Sequence, residues 1–518
     1  MPVTSLTSFA NSVAQAASTQ DGPSLARLFT LFDRKGPRGR ENEGRLLHER
    51  KHHPADDINA LLDWMARPER GNDWQNRTLH TAEPSYVHQL KRHFNKAAWK
   101  DTPWAEMATN HIWAAVALFP PVDVNTGQPY GSGDAIVAYQ KQHALVTALH
   151  KHLIDARDQS TGWALPLLYV VCRELKQLGE QADMQLVRAG QKPSKLEEAS
   201  RLLQKCFSAC LNDRDGNIMA GRKMGVYYLA ALLFKTYFRL NSTALCRNII
   251  RGIGAADLPP LDRYPRAQQV TYRYYMGVFA FLREDYAEAE KQFVEALAAT
   301  HRKVTRNIDL ILDYLTPLSL LRGVFPSAVL LNRKHESSRQ NRAYHRELYA
   351  PFAEAIKAGN VAAYDRQLER REKELMRRGT YLVVERAREG AVRGAFKKAW
   401  LLSGKPARMP LSTFRTFYNA AQKIGLDAEA REKADRADVD DEEVECMVAN
   451  MVFKGLIKGY ISHAHQLVVL SKEKPFPWYG PYRAKSPEAT AARAAKEAAE
   501  RARVIPAEEV VVPVQGQQ

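Results

Sequence analysis

The sequence has few cysteines and no long uncharged apolar run. Five cysteines in 518 residues argue against a disulfide framework and favour a reducing compartment. The apolar run at residues 224–234 falls far short of the roughly 20 residues that a membrane-spanning helix needs. Residues 1–20 contain neither the basic and apolar regions of an export signal nor the arginines of a transit peptide. We therefore expect no membrane association and no export.

Motifs of enzymes are also lacking. The sequence contains no G-x-x-x-x-G-K-[ST] phosphate loop and no nucleophile elbow. His463 and His465 imitate the H-x-H pair of metal-dependent deubiquitinases, but Phe476 occupies the position where such a site needs a carboxylate. Cys206 and Cys210 lie one helical turn apart without a second Cys or His pair nearby to complete a metal site. We predict no catalytic centre, no metal and no cofactor, and we expect these cysteines to be buried.

Charge is abundant and segregated along the chain. The formal net charge is +17, which favours polyanionic partners, although a basic surface kept for solubility is the alternative. Residues 332–423 hold 21 Lys and Arg against 9 Asp and Glu, a net charge of +12, whereas residues 426–445 hold 10 acids against 3 bases. This separation predicts two different contact surfaces.

Most apolar stretches have helical spacing. Residues 266–281 and 286–299 fit the tetratricopeptide register, in which small residues let two antiparallel helices approach closely. The register positions are Gly277, Ala280, Ala289, Phe293 and Ala296. Further helices are predicted at residues 24–32, 56–65, 86–99, 135–153, 163–178, 195–211, 226–240, 307–322, 344–358, 361–378 and 381–403.

The last folded segment changes character. Helices are predicted at residues 410–424 and 440–457, and the second begins with a capping box. Residues 460–462 and 467–470 are β-rich and four residues apart, which predicts a hairpin. Together with the helix at residues 381–403, this gives three helices followed by a hairpin, the order of a winged helix.

Several specific stretches resemble one protein family. They are GVYYLAALLFKTYFRLN (225–241), LCRNIIR (245–251), VECMVANMVFKGLIKGYISHAHQLVVLS (444–471) and PFP (475–477). With the helix pairs and the winged helix, they resemble the PCI-domain family of signalosome subunit twelve and PCI-domain-containing protein two. The resemblance extends over roughly residues 162–477.

The pattern and the resemblance predict a mostly α fold, a right-handed superhelix of tetratricopeptide-like helix pairs ending in a winged-helix subdomain with a small β-hairpin. Residues 1–160 are predicted to form an N-terminal helical extension of unassigned role, and residues 161–290 the helical repeats. Residues 291–478 are predicted to be the PCI domain, with a helical part at 291–378 and a winged helix at 379–478. Residues 479–518 are predicted to be a mobile tail.

The resemblance implies a non-catalytic subunit. It also implies pairing with a second PCI-domain subunit, a small acidic partner of the Sem/Dss type, and binding of RNA or DNA without sequence specificity. Two functions stay open. The first is a nuclear scaffold in transcription-coupled mRNA processing and export; the second is a structural subunit of the COP-nine signalosome that supports cullin deneddylation and ubiquitin-ligase regulation. We expect the chain in the nucleus and the cytoplasm.

Cations of the basic stretch and the wing are candidates for phosphate contacts, with a solvated basic face as the alternative. The predicted nucleic-acid-binding residues are Arg377, Arg378, Arg393, Lys397, Lys398, Lys405, Arg408, Arg415, Lys454, Lys458, His463, His465 and Lys472. The third winged-helix helix begins with acidic residues from Asp440 to Glu445, which repel phosphates. We therefore predict contact through the basic side and the wing, and no base reading in the major groove.

Overall fold

The computed structural model describes residues 6–32, 103–118, 133–154, 162–214, 221–333, 344–425 and 438–477. The helices predicted at residues 56–65 and 86–99, and the tail predicted at 479–518, lie outside these ranges. The chain divides into two compact units, Met1–Tyr275 and Met276–Gln518. None of the described helices is long and apolar enough to cross a membrane. The division of the chain into segments 1–160, 161–290, 291–478 and 479–518 stays a prediction.

The described residues of the first unit form helices and the loops between them, without a strand. A π-helical turn at His150–Ile154 follows the fourth helix of this unit. The ninth helix, α9 (Arg266–Leu282), begins in the first unit and ends in the second. The other helices are α1 (Leu6–Ser18), α2 (Gly22–Leu28), α3 (Pro103–Leu118), α4 (Ala135–Leu149), α5 (Leu165–Arg188), α6 (Lys195–Leu211), α7 (Val226–Arg239) and α8 (Cys246–Ala255).

Helix α5 lies at the centre of the first unit, in contact with α2, α4, α6 and α7. It continues ten residues beyond the predicted end at Leu178. Gly179 lies inside the helix and allows close packing there, because a Cβ at this position would lie 3.3 Å from the Cα of Leu196 in α6. Cys206 and Cys210 are buried, as predicted.

A buried carboxylate connects the N-terminal helices to α5. Oε1 of Glu174 accepts hydrogen bonds from the backbone N–H groups of Leu31 (3.0 Å) and Phe32 (3.2 Å), which follow α2. The Glu174 side chain is fully buried, and this burial raises the pKa of its carboxyl to about 8. The segment that follows α2 is thus fixed by hydrogen bonds to a group that is costly to ionise.

The second unit contains the remaining helices and all three strands of the described chain. In chain order they are α10 (Tyr286–Ala299), α11 (Thr305–Leu321), α12 (Ala328–Leu331), α13 (Tyr344–Ala358), α14 (Val361–Arg378), α15 (Tyr381–Leu402), β1 (Arg408–Pro410), α16 (Leu411–Lys423), α17 (Asp441–Phe453), β2 (Gly459–Ser462) and β3 (Leu467–Leu470).

The tetratricopeptide-like pair forms as predicted. Phe293 of α10 is fully buried. A Cβ on Gly277 of α9 would lie 2.8 Å from atom Cε1 of the Phe293 ring. Ala289 and Ala296 are also fully buried. Glycine at 277 therefore provides the space that the aromatic ring fills.

The winged helix consists of α15, α16, α17 and an antiparallel sheet in the order β1-β3-β2. The predicted hairpin is confirmed, with Tyr460 opposite Val469. Strand β1 was not predicted; its Arg408 lies opposite Val469 on the other side. Helix α17 begins with the predicted capping box but ends at Phe453, four residues early, because Gly455 adopts φ +70° and stops the helix.

One hydrophobic core joins the winged helix to the helices before it. Phe396 of α15 contacts Phe414 of α16, with ring centroids 5.1 Å apart. On the other side of α15, a Cβ on Gly394 would lie 2.9 Å from the Cα of Gly359, which follows α13. The mostly helical class, with helix pairs and a terminal winged helix, is confirmed.

Candidate nucleic-acid interface

Five cationic side chains gather at one end of the winged-helix sheet. The backbone places them there, because β1 and β2 both begin beside the end of β3. Leu470 donates to the carbonyl oxygen of Ala407 at 2.8 Å, and Ser471 donates to that of Lys458 at 2.9 Å. Lys458 in turn donates from its backbone N–H to the carbonyl oxygen of Pro475 at 2.7 Å. This sheet-end cluster comprises Lys405, Arg408, Lys458, Lys472 and Lys474.

The sheet-end cations are exposed to solvent. No described carboxylate forms an ion pair with any of them, although Glu473 lies between two of them in sequence. Four of the five were predicted from sequence, and Lys474 was not in the predicted set. Exposed cations without carboxylate partners can exchange their counterions for phosphates, which is the source of salt-dependent binding to nucleic acids.

A second group of predicted cations lines a cavity of ≈ 250 Å³ between α11, α13, α15 and the segment after α17. Its floor is apolar, formed in part by Phe325, Ile356 and Leu456. Seven cationic side chains and one carboxylate, that of Glu389, complete the lining. The cations of this junction cavity are Arg322, Lys357, Arg386, Arg393, Lys397, Lys398 and Lys454.

Several cavity cations already have partners. Arg386 lies 2.6 Å from Glu284, and Lys454 is paired with Glu389. The ammonium group of Lys357 lies over the ring of Phe325, 4.6 Å from its centroid. The cavity therefore combines an apolar floor with an excess of positive charge, a chemistry suited to an acidic ligand that carries an apolar group.

Arg393 was predicted to bind nucleic acid, but its guanidinium is used inside the domain. It donates to the carbonyl oxygens of Leu456 (3.2 Å), Phe476 (2.8 Å) and Pro477 (2.6 Å). Only 8% of the residue is exposed, and burial lowers the pKa of its guanidinium. Arg393 thus holds the segment that follows β3 against α15, and little of it is left to face a phosphate.

The predicted pair at the end of α14 separates into two environments. Arg377 is exposed. The guanidinium of Arg378 lies 2.7 Å from Asp313 of α11 and 4.0 Å from the ring centroid of Tyr344. Arg378 therefore stabilises the contact between helices, while Arg377 stays available.

Acidic residues of α17 contact two further predicted residues. Arg415 lies 3.1 Å from Asp441, and Nδ1 of His463 lies 2.9 Å from Glu445. His463 and His465 are located on the turn between β2 and β3, at the end of the hairpin away from the sheet-end cluster. His465 is exposed. The structure thus places the thirteen predicted residues on several surfaces instead of one continuous face.

The described residues contain no group of three His, Cys, Asp or Glu side chains able to hold a metal ion. Phe476, at the position where an H-x-H site would need a carboxylate, is buried in the core.

Tyr460 is an exposed aromatic that the sequence analysis did not include among the site residues. It lies on edge strand β2 with 64% of its surface exposed. The sequence contained one signal of this exposure. Tyr460 is followed in the strand by Ile461, which is half-buried, and successive residues of a strand face opposite sides of the sheet.

The fold and the match to a protein-family model indicate the same class of protein. The family model described as "PCI domain" matches residues 407–472, which include β1 and extend past β3. A helical stack that continues into this winged helix defines a PCI-domain protein.

Relatives narrow the class to a family. A protein named CSN12 homolog from Mycosarcoma maydis is 35% identical over 401 residues, covering 73% of this chain and 85% of the relative. PCI domain-containing protein 2 from Danio rerio is 31% identical over 379 residues, with coverage of 73% and 85%. Enhanced ethylene response protein 5 from Arabidopsis thaliana is 33% identical over 355 residues, with coverage of 68% and 78%. The chain belongs to the family of CSN12 homologues and PCI domain-containing protein 2, a family of PCI-domain scaffold-type proteins.

Proposed function

We propose that this chain is a non-catalytic scaffold subunit of a nuclear multiprotein complex. It pairs with a second PCI-domain protein and binds RNA or DNA without sequence specificity, in transcription-coupled mRNA processing and export. The observation that carries this proposal is the sheet-end cluster, five exposed cations at one end of the winged-helix sheet. Such a surface attracts phosphates whatever the base sequence.

The acidic start of α17 limits how nucleic acid binds. Asp440, Glu442 and Glu443 are exposed at the helix end that enters the major groove in many DNA-reading proteins. Phosphates are repelled there, so the proposed contact uses the sheet end. Exposed Arg377 and Lys398 add positive charge elsewhere in the second unit and strengthen long-range attraction.

Exposed apolar side chains on the winged helix support pairing with another protein. Phe453 at the end of α17 is 89% exposed and Leu402 at the end of α15 is 75% exposed. Large side chains of this kind contribute strongly to protein interfaces. We assign them to the second PCI-domain subunit.

The junction cavity supports the small acidic partner. A partner segment that places an apolar side chain on Phe325 and Ile356 also brings its carboxylates near Lys357 and Lys398, both of which line the cavity. Burial of the apolar group supplies affinity, and the charges favour acidic over basic segments.

A structural role in the COP-nine signalosome, supporting cullin deneddylation by another chain, is the second candidate. The acidic end of α17, already engaged with Arg415 and His463, favours a protein surface there over a nucleic-acid surface. Affinity purification of the tagged full chain separates the candidates. Recovery of export factors and RNA is expected, and recovery of cullin-modifying subunits without either would overturn the first proposal.

Charge reversal tests the nucleic-acid surface directly. In the purified complex, the triple variant Arg408→Glu, Lys458→Glu, Lys472→Glu should weaken RNA binding at least roughly tenfold near 100 mM salt and flatten the dependence of log Kd on log salt. Fluorescence anisotropy with labelled RNA over a salt series measures both quantities.

A matched variant changes the cavity instead. Lys357→Glu with Lys398→Glu should release the small acidic partner while the affinity for RNA falls much less. If the sheet-end variant binds RNA as tightly as the wild-type complex does, the assignment of the surface is wrong.

A further inference from the structure

We propose that the outer face of the winged-helix sheet binds a single-stranded nucleic acid, with one base stacked on Tyr460 and its phosphates held by Arg408 and the neighbouring sheet-end lysines. This inference rests on the proposed function and adds to it the strand class and the residue that contacts a base.

The register of the sheet sets the geometry. Val469 of β3 lies opposite Arg408 of β1 on one side and opposite Tyr460 of β2 on the other. The three residues therefore form a row across the sheet. With about 4.8 Å between neighbouring strands, the Cα atoms of the cation and the aromatic are roughly 10 Å apart.

Burial shows which face this row occupies. Met409 and Val468, which alternate with the row, are fully buried in the core. Arg408 and Tyr460 are exposed, and Val469 between them is half-buried. No hydrogen bond or ion pair with a described residue holds the Arg408 guanidinium or the Tyr460 hydroxyl. The row thus presents a flat ring, a small apolar side chain and a cation on one outward face.

This combination matches the chemistry of a single strand. A nucleobase covers an aromatic ring with its π-face, and stacking tolerates any base. A positively charged groove tracks the backbone of such a strand while its bases stack on aromatic side chains, so a base on Tyr460 leaves neighbouring phosphates for Arg408 and Lys458. In a duplex the bases are already stacked on one another and cannot cover the ring.

A second protein is the rival occupant of this face. The charge favours nucleic acid, because Arg408, Lys458 and Lys472 are all exposed around the ring. A partner protein would have to supply carboxylates to each of these sites.

The experiment compares substitutions at Tyr460 in the purified complex. Tyr460→Val keeps a strand-forming residue but removes the ring, while Tyr460→Phe keeps the stacking surface. A 12-nucleotide RNA carrying 2-aminopurine reports affinity by anisotropy and stacking by quenching of its fluorescence. Tyr460→Val should weaken single-strand binding roughly 5- to 150-fold and abolish the quenching, whereas Tyr460→Phe should retain both.

Controls separate the inference from the proposed function. Leu382→Ala removes another large exposed side chain of the same subdomain, at the start of α15, and should leave RNA affinity unchanged. Wild-type complex should prefer the single strand to a duplex of the same sequence. Wild-type complex that binds no RNA would refute the proposed function itself. RNA binding that is unchanged in Tyr460→Val, or equal losses in Tyr460→Val and Leu382→Ala, would overturn only the stacking site. Loss of the second PCI-domain subunit from Tyr460→Val with RNA affinity retained would assign the face to protein.

Discussion

Nη2 of Arg393 lies 2.8 Å from the carbonyl oxygen of Phe476, so a helix that precedes the sheet holds the segment that follows it. The same guanidinium reaches two further carbonyl oxygens. Arg393 therefore acts as a clamp across the winged helix, and its positive charge is satisfied within the domain.

Replacement of this clamp should destabilise the second unit. Arg393→Met removes the donor of one buried and two part-buried hydrogen bonds to carbonyl oxygens, and we expect the free energy of unfolding to fall by about 2–4 kcal/mol. Arg393→Lys should recover part of this loss, since a single ammonium cannot reproduce the guanidinium fork. Chemical denaturation of the full chain measures the change in the free energy of unfolding. Hydrogen exchange of peptides from α15 and β3 measures the local change around the clamp. Arg377→Met, at an exposed site, is the control, and equal stability of both variants would contradict the clamp.

Two glycine-to-alanine variants should have opposite effects on stability, because only one of the two glycines lies in a tight contact between helices. Gly277→Ala places a Cβ 2.8 Å from Phe293 and should destabilise the protein by about 1–3 kcal/mol. Gly254→Ala in α8 meets no atom within 4 Å and should stabilise it by up to about 1 kcal/mol through helix propensity. Thermal unfolding of the two variants provides the comparison. A stabilised Gly277→Ala protein would show that the helices are not in close contact there.

Glu174 predicts a pH dependence of the first unit. Its folded pKa of about 8 exceeds the ordinary value of 4.5, so the native state holds a proton that the unfolded chain has released between these values. Stability from this group therefore decreases as pH rises from about 4.5 to 8. Glu174→Gln keeps an acceptor for Leu31 and Phe32 without the ionisation, and should be more stable than wild type by roughly 2–4 kcal/mol at pH 9.

The difference between Glu174→Gln and wild type should shrink toward pH 5. His111, whose pKa burial lowers to about 3, destabilises both proteins at acid pH and cancels in the comparison. Hydrogen exchange of α2 between pH 5 and 9 follows the effect after correction for intrinsic exchange rates. A constant difference across this range would contradict the raised pKa.

Local signals in the sequence predicted much of the second unit. Helix α14 begins after Asn360, whose side chain accepts from the N–H of Ala363, and ends at the left-handed Gly379, so both boundaries were readable. The capping box of α17 and the hairpin are also local. Strand β1 is three residues long and pairs with a strand almost 60 residues later, a relation that no local pattern contains.

The sequence predicted the positions of the helices better than it predicted which cations are free to bind a ligand. Arg377 and Arg378 are adjacent in sequence, yet only Arg378 meets Asp313. Arg393 finds acceptors 63 to 84 residues away. Charge counts identify a basic region, but which cations stay free depends on these distant partners. The exposure of Tyr460 likewise depends on which face of the sheet is turned away from the core, and that face is set by the pairing of β2 with β3.

The contacts of Arg393 mean that the structural unit around the winged helix extends beyond the residues that match the family model. The family match covers residues 407–472, and a fragment cut at those limits would lose the arginine at one end and its acceptors Phe476 and Pro477 at the other. The contact between partly buried Trp400 and buried Phe476, with ring centroids 5.7 Å apart, would be lost as well. Fragments that carry the winged helix should therefore include both Arg393 and Pro477, together with the preceding helices that share its core.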